Sequence, residues 1–380
     1  MTDTPISPAN PATGQSQSAL QHNVRCDHIP GLNGLRAVAV FLVIFYHIGW
    51  EYVRGSYGVT MFFVISGFLI TWLLLKEYDR TGQVCLRDFY RRRALRIFPA
   101  FYVYCFGWVA VLLMFDRPVP WAYATSAIFY VSNYYNAILG DPNNGFSHTW
   151  SLAIEEQFYL LWPTLFLVLR RRPDRLPWVL VAIIVAVWIY RFVLSFGFHV
   201  DQAYLYASFD TRFDSLMVGC LLAVVLWQRR LEDLVNRLTL NPWLPLLTLV
   251  LLILAIYFPQ ISGIPVPRYR DVFEFLLTPL LTAVLMAQLI ANHGHWLWSW
   301  LESRPIRYLG MISYSLYLYQ QIILGPVANV LHAWPRPVAV AGAIGATVLV
   351  ASGSYFIVER PFLLWKSRRL EMRPMPPKST

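Results

Sequence analysis

The chain has 380 residues, 57% of them hydrophobic and only 14% charged, with a mean hydropathy of +0.46. A soluble domain carries about a quarter charged residues, so an ordinary soluble protein is excluded. The net charge of +10 does not point to nucleic acid, because Lys and Arg gather at the ends of apolar segments, as they do in membrane proteins.

Residues up to about 29 are rich in Pro, Ser, Gln and Asn and read as a disordered arm, without the basic start and small-residue cleavage site of a signal peptide. Ten apolar segments follow, at 35–53, 57–75, 97–115, 150–169, 176–196, 209–227, 243–259, 272–291, 308–331 and 337–357, each long enough to cross a bilayer. An outer-membrane barrel would show shorter alternating segments instead. The piece 120–138 is broken by Tyr, Trp and Asn and reads as re-entrant or interfacial. The expected fold is therefore an all-α transmembrane bundle of about ten spans over residues 30–365, closed by a basic tail at 366–380. With both termini in the cytoplasm, 23 of the 31 Lys and Arg fall on the cytoplasmic side and five outside, which fixes the expected orientation. The four cysteines, Cys26, Cys85, Cys105 and Cys220, show no disulfide or zinc spacing, and no metal site is expected.

Chemistry-bearing residues recur along this frame. Arg36 and His47 lie eleven residues apart in the first span, on one helical face and about 16 Å apart along the axis. An arginine there is expensive. His47 either satisfies a neighbouring helix or serves as a base with a balanced proton affinity. Ser66-Gly67 permits close helix approach, and Ser66 reads as a lining residue. Arg91, Arg92, Arg93 and Arg96 are either a topology anchor or a phosphate clamp, Arg93 and Arg96 sharing one helical face. The fourth span opens with Trp150 and carries Glu155 and Glu156, whose expected partners are Arg212, in Arg212-x-Asp214, or Arg36. Ser313, Ser315 and Tyr317 mark a polar seam in the ninth span. P-loop, dinucleotide, HExxH and EF-hand patterns are absent.

Together, Arg36-x10-His47, Phe62-Phe63-x-x-Ser66-Gly67, Arg93-x-x-Arg96, Trp150-Ser-Leu-x-x-Glu155-x-x-Phe158-Tyr159, Arg212-x-Asp214, Ser313-Tyr-Ser-Leu-Tyr317 and Glu359-Arg-Pro361-Phe362 resemble the membrane-bound acyltransferase-3 family over roughly residues 30 to 365. The resemblance implies a ten-span bacterial inner-membrane enzyme that uses acyl-CoA, with His47 as catalyst and the first basic loop near the donor. Many members carry histidine where this chain has Gln320, which excludes a catalytic histidine there, and many have Asp near Thr60. Some members have a fused extracellular esterase-like domain, for which 380 residues leave no room.

The expected function is O-acyl transfer, acetyl being the favoured group, from acyl-CoA to a hydroxyl of a surface polysaccharide or other glycan. Arg93 and Arg96 would hold the donor's phosphates, with Arg91 and Arg92 as weaker candidates. His47 would take the acceptor's proton, either in direct transfer or through a transient acyl-histidine. Arg36 would orient the donor or stabilise developing negative charge. Ser66, Trp150, Glu155, Arg212, Asp214 and Tyr317 would line the pocket or form its charge network. Partners are acyl-CoA, the glycan and membrane lipids, with no tightly bound cofactor. The alternative is a glycan or lipid-carrier transporter that consumes no acyl-CoA.

Overall fold

The computed structural model describes residues 20, 23–26, 28–50, 52–140, 144–263 and 269–371, the last six without their side chains. The start of the arm and residues 372–380 of the expected tail lie outside the described residues. All regular elements described are helical. In chain order they are α1 (Leu32–His47), α2 (Gly55–Thr81), α3 (Leu86–Met114), α4 (Trp121–Ile128), α5 (Ser132–Leu139), α6 (Thr149–Leu169), α7 (Leu176–Phe196), α8 (Gln202–Ala207), α9 (Phe209–Arg212), α10 (Asp214–Trp227), α11 (Glu232–Thr239) and α12 (Leu244–Ser262). A π-helical turn (Arg270–Glu274) leads into α13 (Phe275–Ala291), followed by α14 (Arg304–Met311), α15 (Ser313–Val330) and α16 (Arg336–Ser354). A second π-helical turn (Tyr355–Glu359) joins α16 to α17 (Arg360–Glu371).

Among the described residues, seven helices are long and apolar enough to cross a membrane: α2, α3, α6, α7, α12, α13 with its π turn, and α16 with its extension. The other three expected spans are also helical but do not meet that measure. Helices α1 and α10 are apolar yet have only 16 and 14 residues, and α15 carries Ser, Tyr and Gln along its length. The broken piece 120–138 forms two helices of eight residues each, about 12 Å long and too short to cross.

The arm is ordered closer to its start than its composition implies. Leu20, Val24 and Ile29 are buried, and Trp72 Nε1 donates to the Val24 carbonyl at 2.5 Å. Two apolar side chains four residues apart give this short stretch a face to bury, which the surrounding polar residues hide in a composition count.

Two close approaches position the interior. A Cβ on Gly67 would sit 1.9 Å from the Leu216 carbonyl oxygen, and one on Gly219 would sit 2.0 Å from the Val64 oxygen, so α2 and α10 touch backbone to backbone. Likewise a Cβ on Gly310 would meet the Asn33 oxygen at 1.8 Å, which seats α14 against the start of α1. Helix α1 thus runs through the interior, packed by α2, α14 and α15. Its Arg36 lies inside the bundle at the end that carries the basic segment 76–96, and His47 lies at the opposite end.

Candidate active site

Helices α1, α2, α3, α6 and α15 and the second π turn enclose a cavity of about 380 Å³. Arg36 of α1, Ser66 of α2, Arg93 and Arg96 of α3, Glu155 and Glu156 of α6, Tyr317 of α15 and Glu359 of the π turn all line it. Three guanidinium groups therefore meet three carboxyl groups in one chamber.

The contacts of these groups differ. The Arg93 guanidinium carbon lies 3.8 Å from the centre of the Tyr159 ring. Arg36 feels the charges of Arg93, Arg96, Glu155 and Glu359. Among the described residues, neither Arg36 nor Arg96 forms a hydrogen bond or ion pair, so their donors remain available to an anionic ligand. Glu155 accepts from Ser66 Oγ at 3.0 Å and from the Tyr159 hydroxyl at 3.2 Å. Glu359 accepts from Ser315. Adjacent residues on α6 point about 100° apart, yet Glu155 and Glu156 both reach the chamber.

At the inner end, the Tyr317 hydroxyl is 2.6 Å from Ser151 Oγ and donates to the His148 carbonyl at 3.0 Å. Phe62 meets the Tyr317 ring edge-on. His47 does not line the cavity. It is exposed at the end of α1, with Nδ1 2.9 Å from the Val43 carbonyl. Donation from Nδ1 to that carbonyl leaves the lone pair on Nε2.

The structure separates several residues that the sequence grouped. Asp214 pairs with Arg191 at 2.8 Å. Arg212 donates to Thr60 Oγ1 at 3.2 Å and lies 3.8 Å over the Phe275 ring. Neither serves Glu155 or Glu156, whose cationic neighbours are Arg93 for both and Arg36 for Glu155. The expected pairing with Arg212 fails because Arg212 is engaged by Thr60 and the Phe275 ring, while the other expected partner, Arg36, does act on Glu155. Trp150 packs against Phe63 and Tyr206 and stays outside the cavity lining. Arg91 stacks on Trp365 at 5.5 Å, and Arg92 pairs with Glu77, so neither lines the chamber. Of the basic cluster, only Arg93 and Arg96 face inward, as their three-residue spacing requires. Glu359 carried no role in the sequence reading. Its signal was a carboxylate at the end of an apolar segment, which is costly unless the group is used or paired.

A profile of the acyltransferase domain family matches residues 29–356. The chain belongs to the acyltransferase-3 family. Among curated relatives of this acyltransferase domain, YrhL of Bacillus subtilis, provisionally named a peptidoglycan O-acetyltransferase, is 34% identical over 360 residues, covering 88% of this chain and 55% of YrhL. A provisionally named O-acetyltransferase of Staphylococcus aureus strain COL is 33% identical, covering 91% of this chain and 59% of the relative. The peptidoglycan O-acetyltransferase OatA of Listeria monocytogenes is 31% identical, with 88% and 56% covered. The acyltransferase-3 chain described here thus spans little more than half the length of these relatives. No solved structure matches it. Nothing in these matches supports the transporter alternative.

Proposed function

We propose that the protein is an O-acyltransferase of a bacterial cytoplasmic membrane. It takes an acyl group, acetyl first, from acyl-CoA and places it on a hydroxyl of peptidoglycan or another surface glycan. One observation carries this reading: a single chamber gathers Arg36, Arg93 and Arg96, two of them without a hydrogen-bonding partner among the described residues. Arginine forks suit the phosphates of a coenzyme A thioester. The names of the relatives supply the acetyl group and the peptidoglycan acceptor.

In this reading Arg93 and Arg96 hold the donor's phosphates and the thioester arm runs past Arg36 and Ser66 towards Tyr317. Arg36 balances the charge that develops on the carbonyl oxygen. The acceptor hydroxyl comes from the opposite end and loses its proton to His47 Nε2. Its oxygen bonds to the acyl carbon, the carbon–sulfur bond breaks, and the thiolate takes up the proton that His47 received, giving an ester, free coenzyme A and neutral His47.

The test uses purified, folded protein with acetyl-CoA and soluble peptidoglycan fragments. Acceptor-dependent release of free thiol, lowered about 10²–10⁴-fold by His47→Ala, is the expected result. No thiol release from folded protein with any glycan acceptor overturns the reading.

A further inference from the structure

The chamber changes character along its length. Its lining on α2 runs from Leu69 through Ser66 and Phe62 to Val59, about 15 Å of helix. The charged groups gather at Ser66 and towards Leu69: Glu155 accepts from Ser66 and from Tyr159, whose ring carries Arg93. Beyond Ser66 the walls carry no charge and are formed by Val59, Phe62 and Phe63 of α2, Ser151 and Leu152 of α6 and Tyr317 of α15. Tyr317 closes this inner end. Its hydroxyl is held at the tip by Ser151 Oγ at 2.6 Å and by the His148 carbonyl at 3.0 Å. Phe62, which lines the chamber, meets the Tyr317 ring edge-on at 6.1 Å. The His148 ring, which does not line it, meets Tyr317 edge-on at 5.4 Å and Tyr104 edge-on at 5.5 Å. At the side, the fully buried Phe63 stands edge-on against Trp150 at 6.3 Å, and Trp150 lies on Tyr206 at 4.8 Å. Each ring of this wall is thus held by another ring or by hydrogen bonds, and close packing makes such a wall stiff.

A stiff, uncharged pocket at the end of a charged channel sorts its ligands by length. One methylene beyond what a fitted pocket holds is discriminated by about 10–200-fold. In an acyl-CoA the acyl group lies on the far side of the sulfur from the phosphates. With the phosphates at Arg93 and Arg96, the acyl group is the leading end of the donor and is the part that meets Phe62 and Tyr317. We infer that Tyr317, pinned by Ser151 and the His148 carbonyl and met by Phe62, determines the acyl length this enzyme accepts. It leaves space for a two-carbon group and turns away propionyl and butyryl thioesters. The inference deepens the reading of the chamber as an acyl-CoA site and rests on it. The pinning decides the matter, because an unheld tyrosine could swing aside for a longer chain, whereas here two hydrogen bonds and two ring contacts oppose that swing. An acetyl group, as in the names of the relatives, is what such a wall would select.

The experiment gives the purified full chain an equimolar mixture of acetyl-, propionyl- and butyryl-CoA with soluble peptidoglycan fragments, and measures the three esters by mass spectrometry. Competition of this kind reads the ratio of kcat/KM values, which is the measure of specificity. Wild type is expected to favour acetyl over propionyl by about tenfold or more, with butyryl lower still. Tyr317→Ala is expected to raise the propionyl-to-acetyl ratio by about tenfold or more. Phe62→Ala, which removes the ring against Tyr317, should shift the ratio in the same direction and stands in should Tyr317→Ala not fold. Leu69→Ala is a comparable truncation on the other side of Ser66, and its ratio is expected to match that of wild type. Equal use of all three donors by wild type overturns the inference. So does an unchanged ratio in folded Tyr317→Ala, or in Phe62→Ala where it stands in, and so does an equal relaxation in Leu69→Ala. Failure of folded wild type to form an ester of any length would instead remove the underlying reading of the chamber, and the inference with it.

Discussion

Ser66 Oγ donates to Glu155 Oε1 across 3.0 Å and ties α2 to α6 where both side chains face the cavity. The other Glu155 oxygen accepts from the Tyr159 hydroxyl, and the Tyr159 ring lies against the Arg93 guanidinium. A hydroxyl on α2 therefore helps to set the position of a cation on α3. Ser66→Ala is expected to leave one carboxylate oxygen unpartnered. Hydrogen bonds to charged groups contribute roughly 1.5–3 kcal/mol, so the thermal midpoint in detergent should fall by several degrees. Ser66→Thr, which keeps the hydroxyl, should lose much less. Equal melting of Ala and wild type would show that the contact contributes nothing.

The four arginines of the basic cluster divide into two classes. Arg93 and Arg96 line the chamber, while Arg91 lies on Trp365 and Arg92 is held by Glu77. Arg96→Gln is expected to raise the acetyl-CoA KM about tenfold or more, since one charge-assisted bond of about 1.4 kcal/mol is a factor of ten. Arg91→Gln and Arg92→Gln should change it by less than about twofold. Binding measured calorimetrically on each variant checks the split, and a uniform effect across all four would mean that only the summed charge of the segment matters.

The helical architecture and the pairing of Arg93 with Arg96 were legible in the sequence because each depends on local periodicity. Apolar length marks a span, and a three-residue spacing marks a shared face. The partners of Asp214 and Arg212 were not legible, because they are chosen by which helices become neighbours, and Arg191 is 23 positions away in the chain. The same holds for Glu359, which sits at the end of the π-helical turn between α16 and α17 and lines the chamber. His47 was legible as a titratable group in a span. The sequence did not disclose that it would lie outside the cavity that holds Arg36.

Gly67 tests the α2–α10 contact. Its ideal Cβ position is 1.9 Å from a backbone oxygen, and backbone cannot swing aside as a side-chain tip can. Gly67→Ala must push the two helices apart. Overpacking of this kind costs typically 1–3 kcal/mol. A lower thermal midpoint is expected, together with reduced donor binding, because neighbouring Ser66 moves with the helix. By contrast Gly107→Ala, with open space around its Cβ position, should melt like wild type. Unaltered melting of Gly67→Ala would mean that the helices do not approach so closely in the membrane protein.

His148 also links stability to pH. In the folded protein its proton affinity lies at about 3, lowered by burial first and by His47 second. In an unfolded chain an imidazole titrates near 6.5. Between those values the unfolded state binds the proton and the folded state does not, so stability falls as pH is lowered through this window and is fully present above it. Each unit below 6.5 removes about 1.4 kcal/mol, which amounts to about 2 kcal/mol at pH 5. Thermal melts of wild type and His148→Phe from pH 7.5 to 4.5 isolate this contribution. The carboxylates that titrate at lower pH are common to both proteins and cancel in the difference. The wild-type midpoint is expected to drop relative to the variant as pH decreases, with the separation opening below pH 6.5. Parallel curves across the range would mean that His148 takes up its proton in the folded state, and that its burial is looser than the contacts with Tyr104 and Tyr317 require.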